Sequence, residues 1–258
     1  MNRTMRIVSL VPSLSETVCT LGRREHLVGC THFCVEPKDL RRKAARIGGT
    51  KDPDLEHIRT LQPTHILANQ EENPRDPVLE LARDIPTLVT FPKGPADVPG
   101  MLRDIGHFLD CEREAERWAD RIEELLQAPY PGEAKRFLYL IWQNPYMLVG
   151  RDTYISRTLE SIGWINAYEG PERYPALDIP ELDACRPDII LLSSEPYPFR
   201  KRDAERLKAQ WPLAPRLARV DGQLLSWFGT RTCEALEQIR MKEADWLKDF
   251  SPLLSKNP

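Results

Sequence analysis

Apolar positions in this chain follow two alternating periods. Met5 to Val11 is an apolar run that predicts a first strand, and Pro12-Ser13 breaks it. Ser13 or Ser15 can cap the helix that follows, with Glu16 in its first turn and Gly22 near its end. His26 to Cys30 reads as a second strand, Gly48-Gly49 as a turn, Pro53 to Leu61 as a short helix and His65 to Asn69 as a third strand. Pro77 to Arg83 is helical in pattern and Thr87 to Phe91 is strand-like. Strands alternating with helices in this way predict a parallel sheet covered by helices. From Pro95 to Ala128 the period becomes helical. Asp110 caps a segment from Cys111 to Ala128, with Ala115, Trp118, Ile122 and Leu125 on one face. At ~1.5 Å per residue that segment spans roughly 27 Å, long enough to bridge two lobes. Pro129-Tyr130-Pro131-Gly132 stops it. The α/β pattern then restarts: strand Arg136 to Trp142, helix Thr153 to Ser161, helix Ile179 to Cys185, strand Ile189 to Ser193 and helix Ala204 to Gln210. Gln223 to Trp227 is strand-like, and Thr232 to Phe250 reads as a final helix.

Two stretches are similar to each other. DLEHIRTLQPTHILANQEENP from Asp54 to Pro74 aligns without a gap to DIPELDACRPDIILLSSEPYP from Asp178 to Pro198, 124 residues further on. Asp54/Asp178, Pro63/Pro187, Ile66/Ile190, Leu67/Leu191, Glu71/Glu195 and Pro74/Pro198 coincide. Both describe a short helix, a proline break, a buried strand and an acidic, proline-bearing turn. The spacing is too long for a solenoid, whose periods are ~20–50 residues. It predicts two similar lobes, each with its own sheet, and a ligand site in the cleft they would form.

Composition narrows the function classes. A net charge of -3 gives no general attraction to nucleic acid or anionic membrane. The basic run Arg41, Arg42, Lys43, Arg46 reads as a solvated face. The 23 prolines are spread along element edges, so they stiffen loops instead of marking disorder. Cys19, Cys30, Cys34, Cys111, Cys185 and Cys233 include no CxxC pair and are too few for a disulfide scaffold, which fits a reducing compartment. The chain enters its first strand at once, with no apolar signal core and no membrane-length apolar run. As written it is expected to be soluble and cytoplasmic; removal of a signal would make it periplasmic or cell-surface. No Gly-rich phosphate loop, GxSxG or HExxH occurs, and Gly48-Gly49-Thr50-Lys51 lacks the spacing of a phosphate loop.

RIVSLVPSLSET at Arg6–Thr17, LVGCTHFCVEP at Leu27–Pro37, RIGG at Arg46–Gly49, LQPTHILA at Leu61–Ala68 and RPDIILLSSEPYPF at Arg186–Phe199 resemble the cobalamin and iron-chelate binding proteins of ABC importers. These are the class III substrate-binding proteins with a helical backbone, and the resemblance covers nearly the whole chain. It implies two Rossmann-like α/β lobes with parallel sheets, joined by a long bridging helix. The expected divisions are 1–109, 110–130 and 131–258. It also implies a non-enzymatic binding protein with no catalytic cofactor. Its ligand would be cobalamin or a related metal chelate, held between the lobes and delivered to an ABC transporter permease. The second reading is a cytosolic metallochelate-processing enzyme on the same architecture.

A planar chelate needs aromatic walls and a few polar anchors, on the loops that follow the strands. Those loops carry Ser13, His32, Phe33, Asn69 and Phe91 in the first half, and Trp142, Tyr146, Tyr174, Ser226, Trp227 and Phe228 in the second. The resemblance places aromatic contacts near Phe91, Tyr174 and Trp227, and a polar pair at Ser226 and Thr230, beside Arg231. It also implies one transporter-docking glutamate per lobe. The repeat supplies Glu71 and Glu195, with Glu72 as the neighbour of the first. Cys30, His32 and Cys34 alternate, which on an extended chain sets them on one side. Three such groups could approach Zn²⁺ but lack a fourth ligand, so a buried cysteine pair with one polar histidine is the expected arrangement.

Overall fold

The computed structural model describes residues 4–241 and 246–249. Residues cluster into two compact units: 1–92 with 96–123 and 227–233, and 93–95 with 124–226 and 234–258.

The first unit contains β1 (Ile7–Ser9), α1 (Pro12–Val18), β2 (Leu27–Cys30), α2 (Leu40–Lys43), β3 (Ala45–Arg46), α3 (Leu55–Thr60), β4 (His65–Asn69), α4 (Arg75–Ala82), β5 (Thr87–Thr90) and α5 (Val98–Phe108). Its strands form one sheet in the order β3-β2-β1-β4-β5, parallel throughout. Ile7, Val8, Leu10, Ile66, Leu67 and Ala68 are fully buried, as expected for central parallel strands covered on both faces. The short strand β3 was missed because two residues carry no readable period.

The helix α6 (Glu112–Gln127) runs from the first unit into the second, with the division falling after Glu123. Ala115, Ala119, Ile122 and Leu125 form its buried face. Trp118, expected on that face, is only half-buried. Within the first unit, Arg103 of α5 ties the helix down through Glu116 (2.9 Å) and Glu123 (2.7 Å).

The second unit contains β6 (Arg136–Trp142), β7 (Tyr146–Leu148), α7 (Tyr154–Glu160), β8 (Ile165–Asn166), β9 (Ala176–Leu177), α8 (Ile179–Ala184), β10 (Ile189–Ser193), α9 (Lys201–Gln210), β11 (Arg216–Val220), α10 (Gly222–Ser226) and β12 (Lys248–Asp249). A last helix, α11 (Arg231–Ile239), starts in the first unit and ends in this one. The sheet order is β12-β11-β10-β6-β7-β9, with β8 also on β6. This sheet is mixed, which corrects the expectation of a second parallel sheet: β6–β7, β7–β9 and β11–β12 are antiparallel. The cause is local. Asn144 adopts φ 60 between β6 and β7, and so short a connection can only reverse the chain, whereas a parallel return needs a crossover. Two other expectations change. Gln223 to Trp227 is not a strand, because α10 covers Gly222–Ser226, and the place beside β10 is taken by β11. The final helix stops at Ile239, and residues 248–249 are strand; 242–245 and 250 lie outside the described residues.

The internal repeat is present in the backbone as well as the sequence. Asp54 caps α3 by accepting from His57 N–H (2.9 Å), and Asp178 caps α8 by accepting from Glu181 N–H (2.9 Å). Gln62 (φ 48) and Arg186 (φ 52) are both left-handed, each just ahead of its proline. β4 and β10 then lie in separate sheets, beside β1 and β6 respectively. The equivalence extends to residues the sequence comparison did not reach. Arg6 Nε donates to Leu61 O at 2.8 Å, and Arg136 Nη2 donates to Cys185 O at 3.2 Å. Each arginine opens the strand next to its repeat and satisfies a carbonyl at the helix C-terminus, where cations are favoured.

Candidate functional site

The candidate residues fall on strand ends, helices and loops in both units, and each unit is built differently. In the first, Ser13 is buried in α1 and its hydroxyl has no hydrogen-bond partner among the described residues. His32 and Phe33 are exposed, and Phe33 lies beside Gly49. Asn69 is buried with its amide fully engaged. Its Oδ1 accepts from Glu71 N–H (2.9 Å) and Glu72 N–H (3.1 Å), while its Nδ2 donates to Thr90 O (3.0 Å). Asn69 therefore builds the loop that carries Glu71 and Glu72. Phe91 lines a surface pocket of about 410 Å³ between β5 and the start of α5, together with Leu88, Met101, Asp97 and Asp104.

The Cys30-His32-Cys34 segment does not run extended. Cys34 N–H turns back to Thr31 O at 3.2 Å, so both cysteines point inward while His32 faces solvent. Cys34 Sγ lies within hydrogen-bond distance of Ser15 Oγ (3.1 Å) and Thr31 Oγ1 (3.3 Å). Arg46 Nη1 donates to Cys30 Sγ (3.0 Å) and Thr31 O (2.7 Å). Hydrogen bonding with Cys30 pulls the Cys34 thiol below its ordinary value against the effect of burial, with Ser15 and Thr31 adding to it. The same bond, with burial, pushes Cys30 up.

Trp227 and Phe228 belong to the first unit, although their neighbour Ser226 belongs to the second. All three were assigned to the C-terminal half, which linear order alone suggests. The reason is a clamp between residues 215 apart: Arg231 Nη2 and Nε donate to Glu16 Oε1 and Oε2 at 2.6 and 2.7 Å. The guanidinium also sits 5.1 Å from the centroid of the Trp227 ring. Thr230 N–H donates to Thr17 Oγ1 at 3.3 Å. Gly229 has φ 96, and a side chain there would strike Thr17, so glycine is required. Glu16 had been read only as a first-turn acid; nothing in its neighbourhood in sequence points to Arg231.

In the second unit Trp142 is 41% exposed and meets Tyr197 edge-on at 5.6 Å. Tyr146 donates its hydroxyl to Gln210 Oε1 at 2.9 Å, and Tyr174 is exposed. Ser226 and Glu195, singled out for different roles, are partners: Ser226 Oγ donates to Glu195 Oε1 at 3.1 Å. Gly222 accommodates this, because a Cβ there would lie 2.5 Å from Glu195 Cγ. Glu195 N–H donates to Ser193 Oγ at 3.2 Å, the counterpart of Glu71 N–H on Asn69.

The periplasmic binding protein family model matches residues 7–218. The chain belongs to that family. It is 25% identical over 199 residues to the vitamin B12-binding protein of Pectobacterium carotovorum subsp. carotovorum, a match covering 74% of this chain and 72% of that one. Among solved structures, the vitamin B12 binding protein BtuF of Vibrio cholerae superimposes with a TM-score of 0.76 at 18% identity, covering 98% of both chains. The heme-binding protein RhuT of Roseiflexus sp. RS-1 gives 0.79 at 21% identity, covering 92% of this chain and 97% of that one. These likenesses support a substrate-binding protein over the enzyme reading. The cytoplasmic placement finds no support in them: the family and both solved relatives are described as periplasmic. Among the described residues no helix is long and apolar enough to cross a membrane.

Proposed function

We propose that this periplasmic binding protein captures a planar metal-chelating macrocycle, a corrinoid of the cobalamin type, and delivers it to an ABC transporter permease outside the cytoplasm. The observation that carries the reading is the exposed Trp142, seated on a second aromatic ring at the end of β6, in a chain whose curated relatives bind vitamin B12. A flat conjugated ligand gains both burial and stacking on such a surface. Phe33, Phe91, Tyr146 and Tyr174 are the further aromatic contacts in this reading, and His32 is the exposed imidazole able to approach a chelated metal. Ser13, Asn69, Ser226, Trp227 and Phe228 complete the ligand-binding residues in this reading. In this reading the chain divides into 1–109, 110–130 and 131–258, with residues 227–233 counted with the first unit. Mixing the protein with cyanocobalamin or with haemin, followed by desalting, is the test. Corrinoid absorbance eluting with the protein is expected; haem alone would move the assignment to iron porphyrins, and neither would reject it.

Glu71, or its neighbour Glu72, and Glu195 are proposed as docking carboxylates for arginines on the permease. The reading rests on the equivalence of Glu71 and Glu195 in the repeat and the matched backbone bonds that hold their loops. The Glu71→Ala/Glu195→Ala variant is expected to lose retention on permease-loaded membranes while keeping its ligand. Retention equal to wild type would exclude these residues.

A further inference from the structure

One step from Trp142, through Tyr197 and Gln143, lies a buried carboxylate. Asp203, in the first turn of α9, is 2% exposed. Its Oδ2 accepts from Arg200 N–H at 2.8 Å, which closes the start of the helix. Its Oδ1 has another task. It accepts from Gln143 Nε2 at 3.0 Å and from the Tyr197 hydroxyl at 3.2 Å, and Gln143 Nε2 also meets the Tyr197 oxygen. Arg202 Nε stands 3.8 Å away on a mostly exposed side chain.

Both groups gripped by Oδ1 bear on Trp142. Gln143 is its chain neighbour, at the β6–β7 reversal. Tyr197 is its ring partner, with the planes at 74°. Tyr197 is in turn packed edge-on against the fully buried Phe199, at 4.9 Å and 70°, and its N–H donates to Ile141 O. The three rings form a ridge that rises from the core to the surface. Its middle member is fixed at both the backbone and the hydroxyl.

A carboxylate is costly to bury, and helix capping needs only one of its oxygens. Burial pushes the Asp203 carboxyl up, yet the Arg200 N–H, Gln143 and Tyr197 outweigh it and hold the group below the usual carboxylate range. An apolar pair at 197 and 203 would pack the same space without that cost. What the polar pair adds is orientation: a phenol held by its oxygen cannot tilt, so the indole resting on it keeps one plane. A surface already in its binding geometry loses less freedom when a flat ligand arrives.

We propose that Asp203 is a positioning residue that acts through Tyr197 and Gln143 to hold Trp142 as a preorganised stacking surface for a planar tetrapyrrole. This rests on the chelate-binding function proposed above for the ligand, though not for the positioning. The test compares wild type with Tyr197→Phe, Asp203→Asn and the double variant in two measurements. One is the near-ultraviolet circular dichroism of the Trp142 ring, isolated by subtracting Trp142→Phe. The other is titration with cyanocobalamin and, separately, haemin. Each single variant is expected to reduce the Trp142 signal and weaken binding about tenfold, the worth of one charge-assisted hydrogen bond. The double variant is expected to be no worse than the weaker single one, because both cut the same link. Tyr197→Phe keeps the ring and the core contact, so it serves if Asp203→Asn folds poorly. An unchanged Trp142 signal in Tyr197→Phe, or losses that add in the double variant, would overturn the positioning role. If both chelates fail to bind wild type, the proposed function falls and the ligand half of this proposal with it. The circular dichroism then still decides the positioning half.

Discussion

Trp227→Ala is expected to destabilise the N-terminal unit by about 3–5 kcal/mol, the range for deleting a large buried aromatic side chain. Trp227 is only 9% exposed, and it carries the guanidinium of Arg231 on its face. Arg231 is in turn held by both oxygens of Glu16, with side-chain exposures of 12% and 19%. Removing the ring leaves a cavity and frees one face of a partly desolvated ion pair. Glu16→Ala is expected to cost less, about 2–3 kcal/mol, because water can reach both partners once the pair opens. Urea titration followed by fluorescence and far-ultraviolet circular dichroism measures both. If Trp227→Ala kept the wild-type midpoint and lost only ligand affinity, Trp227 would be a ligand surface and not a structural residue.

Trp142→Ala is expected to have the opposite profile. Its ring is 41% exposed and contributes little to the core, so the melting temperature should stay close to wild type. Corrinoid binding should weaken tenfold to a hundredfold, as roughly 1–3 kcal/mol of stacking and burial is lost. The two tryptophans appear equivalent in the sequence, each at a strand-like segment beside loop residues. Only their surroundings in space separate the exposed ring from the buried one. Identical chelate titrations for Trp142→Ala and wild type, with the fold intact, would remove Trp142 from the site.

Much of the architecture was legible because it is encoded locally. The apolar runs at 7–11, 65–69 and 189–193 are strands or strand edges, and α6 carries the apolar stripe its spacing announced. The repeat was legible because a helix cap, a left-handed residue before proline and a buried strand each leave a mark at a fixed offset. Asp54 and Asp178, and Gln62 and Arg186, show those marks were structural. The second sheet departs from the expected parallel order at the short β6–β7 connection, where Asn144 at φ 60 turns the chain back on itself. The proposed site is only half legible in the sequence. Its exposed rings could be named from loop positions. Their supports could not, because Asp203 lies 60 residues from Gln143 and looks like any acid in a first helical turn.

The sequence by itself determined the alternating α/β order, the duplicated helix–strand unit and the long helix, together with the family resemblance they carry. These depend on interactions within a few residues, so periodicity and capping residues record them. Tertiary structure alone decided that Trp227 folds with the N-terminal unit, that Glu195 is bonded to Ser226, that Cys30 and Cys34 share a buried pocket with Arg46, and that Asp203 stands one step from Trp142, through Tyr197 and Gln143. Most of these contacts join residues far apart in the chain, and in the cysteine pocket a turn overrides the simple alternation. Long-range partners leave no periodic trace, and a charged or aromatic side chain reads the same in sequence whether its partner is water or a residue brought to it by the fold.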